Sequence, residues 1–367
     1  MRVLFSSLGS YGHTLPLVPL ARAAADAGHD VAFASTEAMA PTLSAAGLRT
    51  VGVGIAIREA FAQLGLADVA PADRARIPGI QESIQRAFGE ILPAAYRADL
   101  LDVIARDRPD LVVAEAGNIG AMQAAAVAGV PSVRHGIGRG LTFGYLAEEL
   151  PHLDIYPPSM QDREVLDLPG LRPLRSVSAT GEGPLPPIVD RDTTLPLVYV
   201  TLGTEFGSAA VLDVIVRAID TGDRRVLVAA GPTIDAAALG GYSDLVEVAA
   251  WVPQAAVVDR AALVVHHGGA GTTLGTCAAG VPHLVVPQGA DQFRNAEAVV
   301  TRGVGEQVLP VEVSVATITS AVERLLLSDS LVRSACTDVA AEIAAMPSPD
   351  EVAADLSALA ASSPAVR

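Results

Sequence analysis

The stretch from Trp251 to Gln292, WVPQAAVVDRAALVVHHGGAGTTLGTCAAGVPHLVVPQGADQ, constrains the fold more than any other part of this chain. The apolar run Ala261 to Val265 reads as a buried strand. His266-His267-Gly268-Gly269-Ala270-Gly271-Thr272-Thr273 follows as a turn, and the small residues after it, with Leu274, continue as a helix until Gly280. A strand, a glycine-rich turn and a helix in that order imply a parallel α/β layer. The first N–H groups of the helix have no partner inside it, and the helix dipole favours an anion there. Gly269 and Gly271 let a ligand approach the backbone, because no Cβ stands in the way. The ligand this turn suits is a phosphate or diphosphate.

Two other phosphate-binding turns are excluded by residue type. A Walker A loop needs a Lys before its Ser/Thr, and here Gly271 precedes Thr272. The dinucleotide fingerprint G-x-G-x-x-G needs a third glycine where Leu274 stands. Taken alone, the turn also reads as a structural βα connection. Its flanks argue for more. Trp251, the only tryptophan, stands beside Val252, Pro253 and Gln254 where a loop should leave a strand. Asp291-Gln292 follows a second strand, Leu284 to Val286. An aromatic plate, an anion turn and a polar pair all after strand ends lie at the edge where open α/β sheets bind ligands. A base, a diphosphate and a sugar would need those three features in that order.

The motifs W-x-P-Q, H-H-G-G-A-G-T-T, G-V-P and D-Q together resemble the nucleotide-sugar-binding signature of GT-B glycosyltransferases. The similarity is greatest to the actinobacterial branch that decorates antibiotics and other natural products. It spans essentially the whole chain and is fainter between residues 55 and 100 and between 136 and 195. The fold this resemblance implies is α/β, with two Rossmann-like doubly wound domains facing a central cleft. The boundaries expected are 1–180 for an acceptor-binding domain, 181–196 for a linker and 197–348 for a nucleotide-sugar-binding domain. A last helix within 349–367 is expected to return to the first domain.

A chain of 367 residues suits two domains, each able to bury its own core. Mean hydropathy is +0.40, yet the apolar runs are of strand length and broken by Gly, Pro or charge, so no membrane span is expected. The N-terminus, MRVLFSSLGSYGH, is a short strand and turn without a signal-peptide core, so a cytoplasmic location is expected. A net charge of −16 argues against nucleic acid and anionic membranes as partners. Cys277 and Cys336 are too few for a disulfide framework or zinc site.

The first half opens with strand Arg2 to Ser6 and a turn, Gly9 to Gly12, which His13 ends. Pro16 suits the first turn of the next helix; Pro19 predicts a kink or a shifted start. Strands are expected at Val31 to Ala34, Thr50 to Val53, Asp110 to Ala114 and Ser132 to His135. Helices are expected over Gln81 to Asp107, interrupted near Pro93, and over Ile119 to Ala128. On its own His13 reads as a turn histidine. Gly12-His13-x-x-Pro16 resembles the family's G-H-x-x-P, which implies that His13 is the general base for an acceptor hydroxyl. An imidazole titrating near neutrality suits that task. A base needs an orienting partner, and Glu115 stands where the family often carries Asp. Alternatively Glu115 answers a helix dipole. His135 is a second candidate for the same region. Phe61, Phe88, Tyr96, Phe143, Tyr145 and Tyr156 fall in segments that would shape an acceptor pocket in such a fold.

The second half repeats strand and helix units: strands Leu197 to Thr201, Val226 to Ala229, Leu245 to Val248 and Val304 to Val308, helices Ser208 to Ile219, Ser314 to Leu326 and Ser330 to Ala345, and a tail helix, Asp350 to Ala360. The resemblance implies that Thr204, in Thr201-Leu202-Gly203-Thr204, faces the donor phosphates. It further implies that Trp251 stacks on the base with Val252 beside it, and that Gln254 lies near the ribose. His267 and the N–H groups of Gly269, Ala270, Gly271 and Thr272, with Thr273, would hold the diphosphate; Asp291 and Gln292 would bind sugar hydroxyls. His267 would hydrogen-bond or neutralise the leaving diphosphate, so no metal and no other cofactor is expected. Asp190-Arg191-Asp192 imitates a metal-binding D-x-D, but it falls in the linker. His266 should point to the opposite face from His267 and reads as structural.

Members of the family that use UDP-sugars commonly place a Glu three residues after the first Thr/Ser of the turn. Here that position is Gly275. A 2′-deoxyribose loses less by its absence, so a dTDP-linked deoxysugar is the expected donor and inverting displacement the expected reaction. The partners expected are that donor and a small aglycone or glycoside acceptor, and a homodimer is compatible with such a chain. Some relatives carry an extra N-terminal helix and need an activator protein; the start at the first strand favours independence. The competing readings are a non-catalytic helper subunit, a UDP-sugar-using member and a sugar-nucleotide epimerase.

Overall fold

A computed structural model describes residues 1–69, 77–140, 150–179, 183–191, 194–205, 207–327 and 330–363. The chain forms two compact units, Met1–Ala179 with Met346–Arg367, and Thr180–Ala345.

The first unit is built on a seven-stranded, all-parallel sheet. Its strands are β1 (Arg2–Ser6), β2 (Asp30–Ser35), β3 (Arg49–Gly52), β4 (Leu111–Glu115), β5 (Ser132–His135), β6 (His152–Asp154) and β7 (Leu171–Pro173). The order is β3-β2-β1-β4-β5-β6-β7. β1 therefore lies between β2 and β4, with Ser6 level with both Ala34 and Ala114. The connections reverse direction at that pair, and the crevice beyond the carboxyl ends of β1 and β4 is the natural ligand site of such a sheet. Helices cover the sheet, so the inner strands are apolar at successive positions, as Val3-Leu4-Phe5 and Val112-Val113 are, all buried. One face packs Leu4, Ala32 and Val112 against Leu100, Val103 and Ile104 of the Leu92–Asp107 helix and Ala121, Ala124 and Ala125 of the Ile119–Ala128 helix. Each such side chain contributes roughly 1–3 kcal/mol by leaving water.

The second unit has six parallel strands: β8 (Leu197–Thr201), β9 (Arg225–Ala229), β10 (Val246–Ala249), β11 (Leu263–His266), β12 (His283–Val285) and β13 (Gly305–Gln307). Their order, β10-β9-β8-β11-β12-β13, repeats the first six places of the other sheet, and the reversal falls between β8 and β11. Val200, Val228 and Val265 pack against Leu212, Ile215 and Ile219 of the Ala209–Ile219 helix.

Several local departures from the sequence reading have simple causes. Pro16 and Pro19 divide the segment after β1 into a helical turn (Tyr11–Thr14), a 3-10 turn (Leu15–Leu17) and a helix (Val18–Asp26), and each proline lies where a missing N–H costs least. His13 thus lies in a helical turn, not at the end of a loop. The interruption expected near Pro93 is a π-helical turn, Ala87–Ile91, between Ile80–Arg86 and Leu92–Asp107. It makes room for the proline ring without ending the helix. β6 and β7 are not expected from the sequence, because His152-Leu153-Asp154 and Leu171-Arg172-Pro173 each carry a single aliphatic residue and so form no apolar run. The stretch read as a linker carries a helical turn, Pro187–Asp190, whose Ile188 and Val189 are buried against Leu197 and Leu227. The tail forms two helices, Pro349–Ala354 and Leu356–Ser362, within the first unit. Ser363 Oγ accepts from Ser132 N and donates to Ser132 O, at 3.2 and 2.9 Å. Among the described residues no helix is long and apolar enough to cross a membrane.

Candidate active site and nucleotide turn

At the reversal point of the first unit, the helical turn after β1 and the end of β4 bring His13 and Glu115 together. His13 Nδ1 lies 2.9 Å from Glu115 Oε2. Glu115 is fully buried and the His13 side chain 18% exposed, so the carboxylate is hidden and the ring edge is reachable. A carboxylate only accepts, so it draws the ring proton onto Nδ1 and leaves Nε2 as the basic nitrogen. Among the described residues, buried Glu115 Oε1 has no hydrogen-bond partner. The chain passes close by: a Cβ on Gly117 would stand 2.9 Å from that oxygen. Asn118 then caps the Ile119–Ala128 helix by accepting from Ala121 N at 3.1 Å, and its amide donates to Ser6 Oγ at 3.0 Å. The ends of β1 and β4 are thereby tied beneath the pair.

A face of the His13 ring stacks on Phe88, with centroids 6.4 Å apart and planes at 20°. Phe88 comes from the π-helical turn and meets Phe61 edge-on at 6.3 Å. Tyr96 and Tyr156 are core residues, while Phe143 and Tyr145 lie outside the described residues. His135 is fully buried beside Glu115 in the strand register; its Nδ1 donates to Gly136 O at 2.7 Å, and burial pushes it down to about 4. It is a packed neutral histidine and not a second exposed base.

At the reversal point of the second unit, the Leu202-Gly203-Thr204 turn after β8 meets the His267-Gly268-Gly269 turn after β11. Gly203 has φ +78, and a Cβ there would stand 2.5 Å from His267 Cε1 and Nε2; a Cβ on Gly269 would overlap the same Nε2. The imidazole is therefore held between two glycines. Burial, partly offset by the Thr201 carbonyl, lowers His267 to about 4. The ring is neutral at pH 7, so it can offer a ligand a hydrogen bond but not a standing positive charge.

The Ala270–Ala278 helix begins directly after Gly269, which has no side chain to cap it. Thr273 turns inward, donating to Gly269 O at 3.0 Å, and Thr276 donates to Thr272 O at 2.8 Å. Among the described residues, no heavy atom outside the helix's own backbone and the adjoining residues lies within 4 Å of a Cβ built on Gly271 or Gly275, so space is open beside the first turns. Gln254 starts the Gln254–Val258 helix, and its Oε1 accepts from Tyr199 OH at 3.3 Å and Thr272 Oγ1 at 3.5 Å. Trp251 is 52% exposed, whereas the Val252 side chain is buried in the core and can offer a ligand only its backbone.

Asp291 and Gln292 open the Gln292–Arg302 helix. Asp291 is exposed, but Gln292 is buried, and its Oε1 accepts from Gln288 N at 2.7 Å and Gly289 N at 3.0 Å. That oxygen serves its own turn, so only the amide nitrogen of Gln292 could meet a sugar. Asn295 was not singled out in the sequence, yet its amide donates to Gly268 O at 2.7 Å and to Asp291 Oδ2 at 3.1 Å, joining the two loops. Its signal was the spacing Asp291-x-x-x-Asn295, one helical turn. Among the described residues no group of three or more His, Cys, Asp or Glu could hold a metal ion. Asp190 lies 3.7 Å from Arg260, and Asp192 lies outside the described residues.

Residues 22–231 match the family model of the erythromycin biosynthesis protein CIII-like N-terminal domain, and residues 214–359 match that of its C-terminal domain. The chain belongs to this family. It is 32% identical to elloramycin glycosyltransferase ElmGT of Streptomyces olivaceus, over 97% of each chain. It is 30% identical to the L-demethylnoviosyl transferase of Streptomyces niveus, over 98% of each. Among solved structures it is similar to the glycosyltransferase SsfS6 of Streptomyces sp. SF2575, complexed with thymidine diphosphate. The TM-score is 0.77 and the identity 27%, covering 98% of this chain and 99% of that one. The fold is thus GT-B and the protein a glycosyltransferase of the actinobacterial natural-product type.

Proposed function

We propose that the protein moves a deoxysugar from a dTDP-sugar to a hydroxyl of a small natural-product acceptor, with inversion and without a metal. The observation that carries the reaction is the 2.9 Å contact between His13 and buried Glu115. His13 Nε2 takes the acceptor proton as the oxygen attacks the anomeric carbon, and the bond to the diphosphate oxygen breaks on the opposite face. Glu115 stabilises the imidazolium that forms. The orphan N–H groups of Ala270, Gly271 and Thr272, with Thr204 and the neutral His267 ring, receive the charge of the leaving diphosphate. Trp251 and Gln254 hold the nucleoside, and Asp291 with the amide nitrogen of Gln292 meets the sugar. The relatives are named for antibiotic glycosylation, and the similar SsfS6 structure holds thymidine diphosphate. The open space beside Gly275, with no carboxylate, supports a 2′-deoxyribose.

Calorimetry with dTDP, UDP and NAD, with and without EDTA, tests the donor. Tight dTDP binding indifferent to EDTA is expected; preference for UDP would overturn the donor class. Failure of both nucleotides would favour a helper subunit. Turnover of a dTDP-sugar that survives His13→Ala unchanged would overturn the base.

A further inference from the structure

Behind the nucleotide turn runs a buried chain of side chains that the proposed reaction does not use. Gly268 N donates to His266 Nδ1 at 3.1 Å. His266 Nε2 lies 3.0 Å from His283 Nδ1, with ring centroids 5.2 Å apart. His283 Nε2 lies 3.4 Å from Cys277 Sγ. All three side chains are 0 or 1% exposed. Burial keeps both imidazoles neutral, pushing His266 well below its usual range and His283 down to about 3.

The direction of this chain is fixed by elimination. A backbone N–H can only donate, so His266 Nδ1 must accept. A neutral imidazole carries one proton, so that of His266 is on Nε2 and points at His283 Nδ1. The proton of His283 is then on its own Nε2 and points at the sulfur. Gly268 has φ +90, and a Cβ there would stand 2.9 Å from Gln292 O and Val285 Cγ1, so its peptide has one seat only. Its carbonyl is taken by Asn295 and its N–H by His266. The two peptide units that meet at Gly268 are therefore each held from beneath by one polar group.

We propose that His266 is a positioning residue for the sugar-nucleotide, and that His283 and Cys277 act through it by holding its proton on Nε2. The chain orients the Gly268 peptide, and so sets the direction in which the following N–H groups meet the diphosphate. This inference rests on the donor-site reading above. His283 follows Gly-Val-Pro in the sequence, so the device joins the turn to the start of β12.

A pair of variants separates the two ring nitrogens. In His266→Asn the carboxamide oxygen takes the place of Nδ1 and keeps the bond from Gly268; in His266→Gln the amide nitrogen takes the place of Nε2 and keeps only the bond to His283. Calorimetry should show dTDP affinity within about threefold of wild type for the Asn variant and roughly tenfold weaker for the Gln variant, in which the released Gly268 N–H turns away to find another acceptor and must be turned back on binding. His283→Leu should weaken it severalfold through loss of the tautomer. Long-range 15N–1H spectra of the wild-type protein should show both rings protonated on Nε2. Equal losses in the Asn and Gln variants, no loss in either, or a proton on Nδ1 of His266 would overturn the proposal. Wild-type protein that binds no dTDP would refute the donor-site reading, while the spectra would still decide the tautomers; stable folding of the variants is checked by their melting.

Discussion

Replacing Gly203 by Ala tests whether the imidazole of His267 must sit between two glycines. Two costs follow from the structure. A side chain at φ +78 is strained by roughly 1–2 kcal/mol. The new Cβ also claims space 2.5 Å from the ring, which must turn away. The strain should lower the melting temperature of the Thr180–Ala345 unit by roughly 2–8 °C, at about 2–4 °C per kcal/mol. The displaced ring should cost more in binding. A hydrogen bond from His267 to a charged diphosphate is worth roughly 1.5–3 kcal/mol, which is about 10–150-fold in the Kd for dTDP. Calorimetry on Gly203→Ala, His267→Ala and the double variant closes a cycle. The affinity loss should appear in each single variant and should not double in the combination. A Gly203→Ala protein that binds dTDP as tightly as wild type, or losses that simply add, would refute the claim that the glycine acts through the ring.

Acidification should unfold the two units at different pH. Burial holds His266, His267 and His283 neutral in the second unit and His135 and His152 in the first, with folded values about 3 to 4 or, for His266, well below normal. Unfolded histidines bind protons near 6.5, so each withdraws about 1.4 kcal/mol of stability per pH unit as the pH falls below that value. Asp154, raised to about 6 by burial, opposes this, since between about 4 and 6 its folded form keeps a proton that the unfolded chain releases. The second unit should therefore lose roughly 4 kcal/mol per pH unit and the first about 1.4. Pulsed hydrogen exchange at pH 7 and pH 5 should show the second unit opening first; simultaneous loss or the reverse order would contradict the assignment. Glu115→Ala should cut kcat roughly 10- to 1000-fold with little change in melting, and Glu115→Asp should not restore it, because one methylene of about 1.5 Å opens a 2.9 Å contact beyond reach. Gly275→Glu should shift nucleotide preference from dTDP towards UDP and raise the melting temperature slightly, since Gly in a helix costs about 1 kcal/mol; an unchanged preference would remove Gly275 from the specificity argument.

The inner strands were legible because both faces of a parallel sheet are covered, which writes them as apolar runs. Leu197–Thr201 and Arg2–Ser6 have the bounds read from sequence. Helices with clear punctuation were equally plain: Asn118 and Gly129 bracket Ile119–Ala128. The outer strands β6 and β7 were not, since HLD and LRP each hold one aliphatic residue and write no apolar run. The pairing of His13 with Glu115 was anticipated from motif resemblance, but its geometry depends on strand order across 102 residues, which spacing does not encode. Gln292 shows what residue type alone does not give. A polar residue after a strand end looks like a ligand group, yet its oxygen closes the Gln288-Gly289 turn. For His267 the sequence leaves hydrogen bonding and charge neutralisation both open; the glycines that make room for the ring also take it out of water, which favours the first.

The return of Met346–Arg367 to the first unit has a consequence for biosynthesis. Val352, Ala353, Leu356 and Leu359 are buried there, with the Pro349–Ala354 helix packed on Val18–Asp26. On the ribosome that surface stays bare while the 166 residues of Thr180–Ala345 are made, roughly ten to thirty seconds at ordinary elongation rates. The second unit, continuous in sequence, can complete its sheet first. The unit that is begun first is finished last, and nascent chains halted before residue 346 should be digested in the first unit and spared in the second.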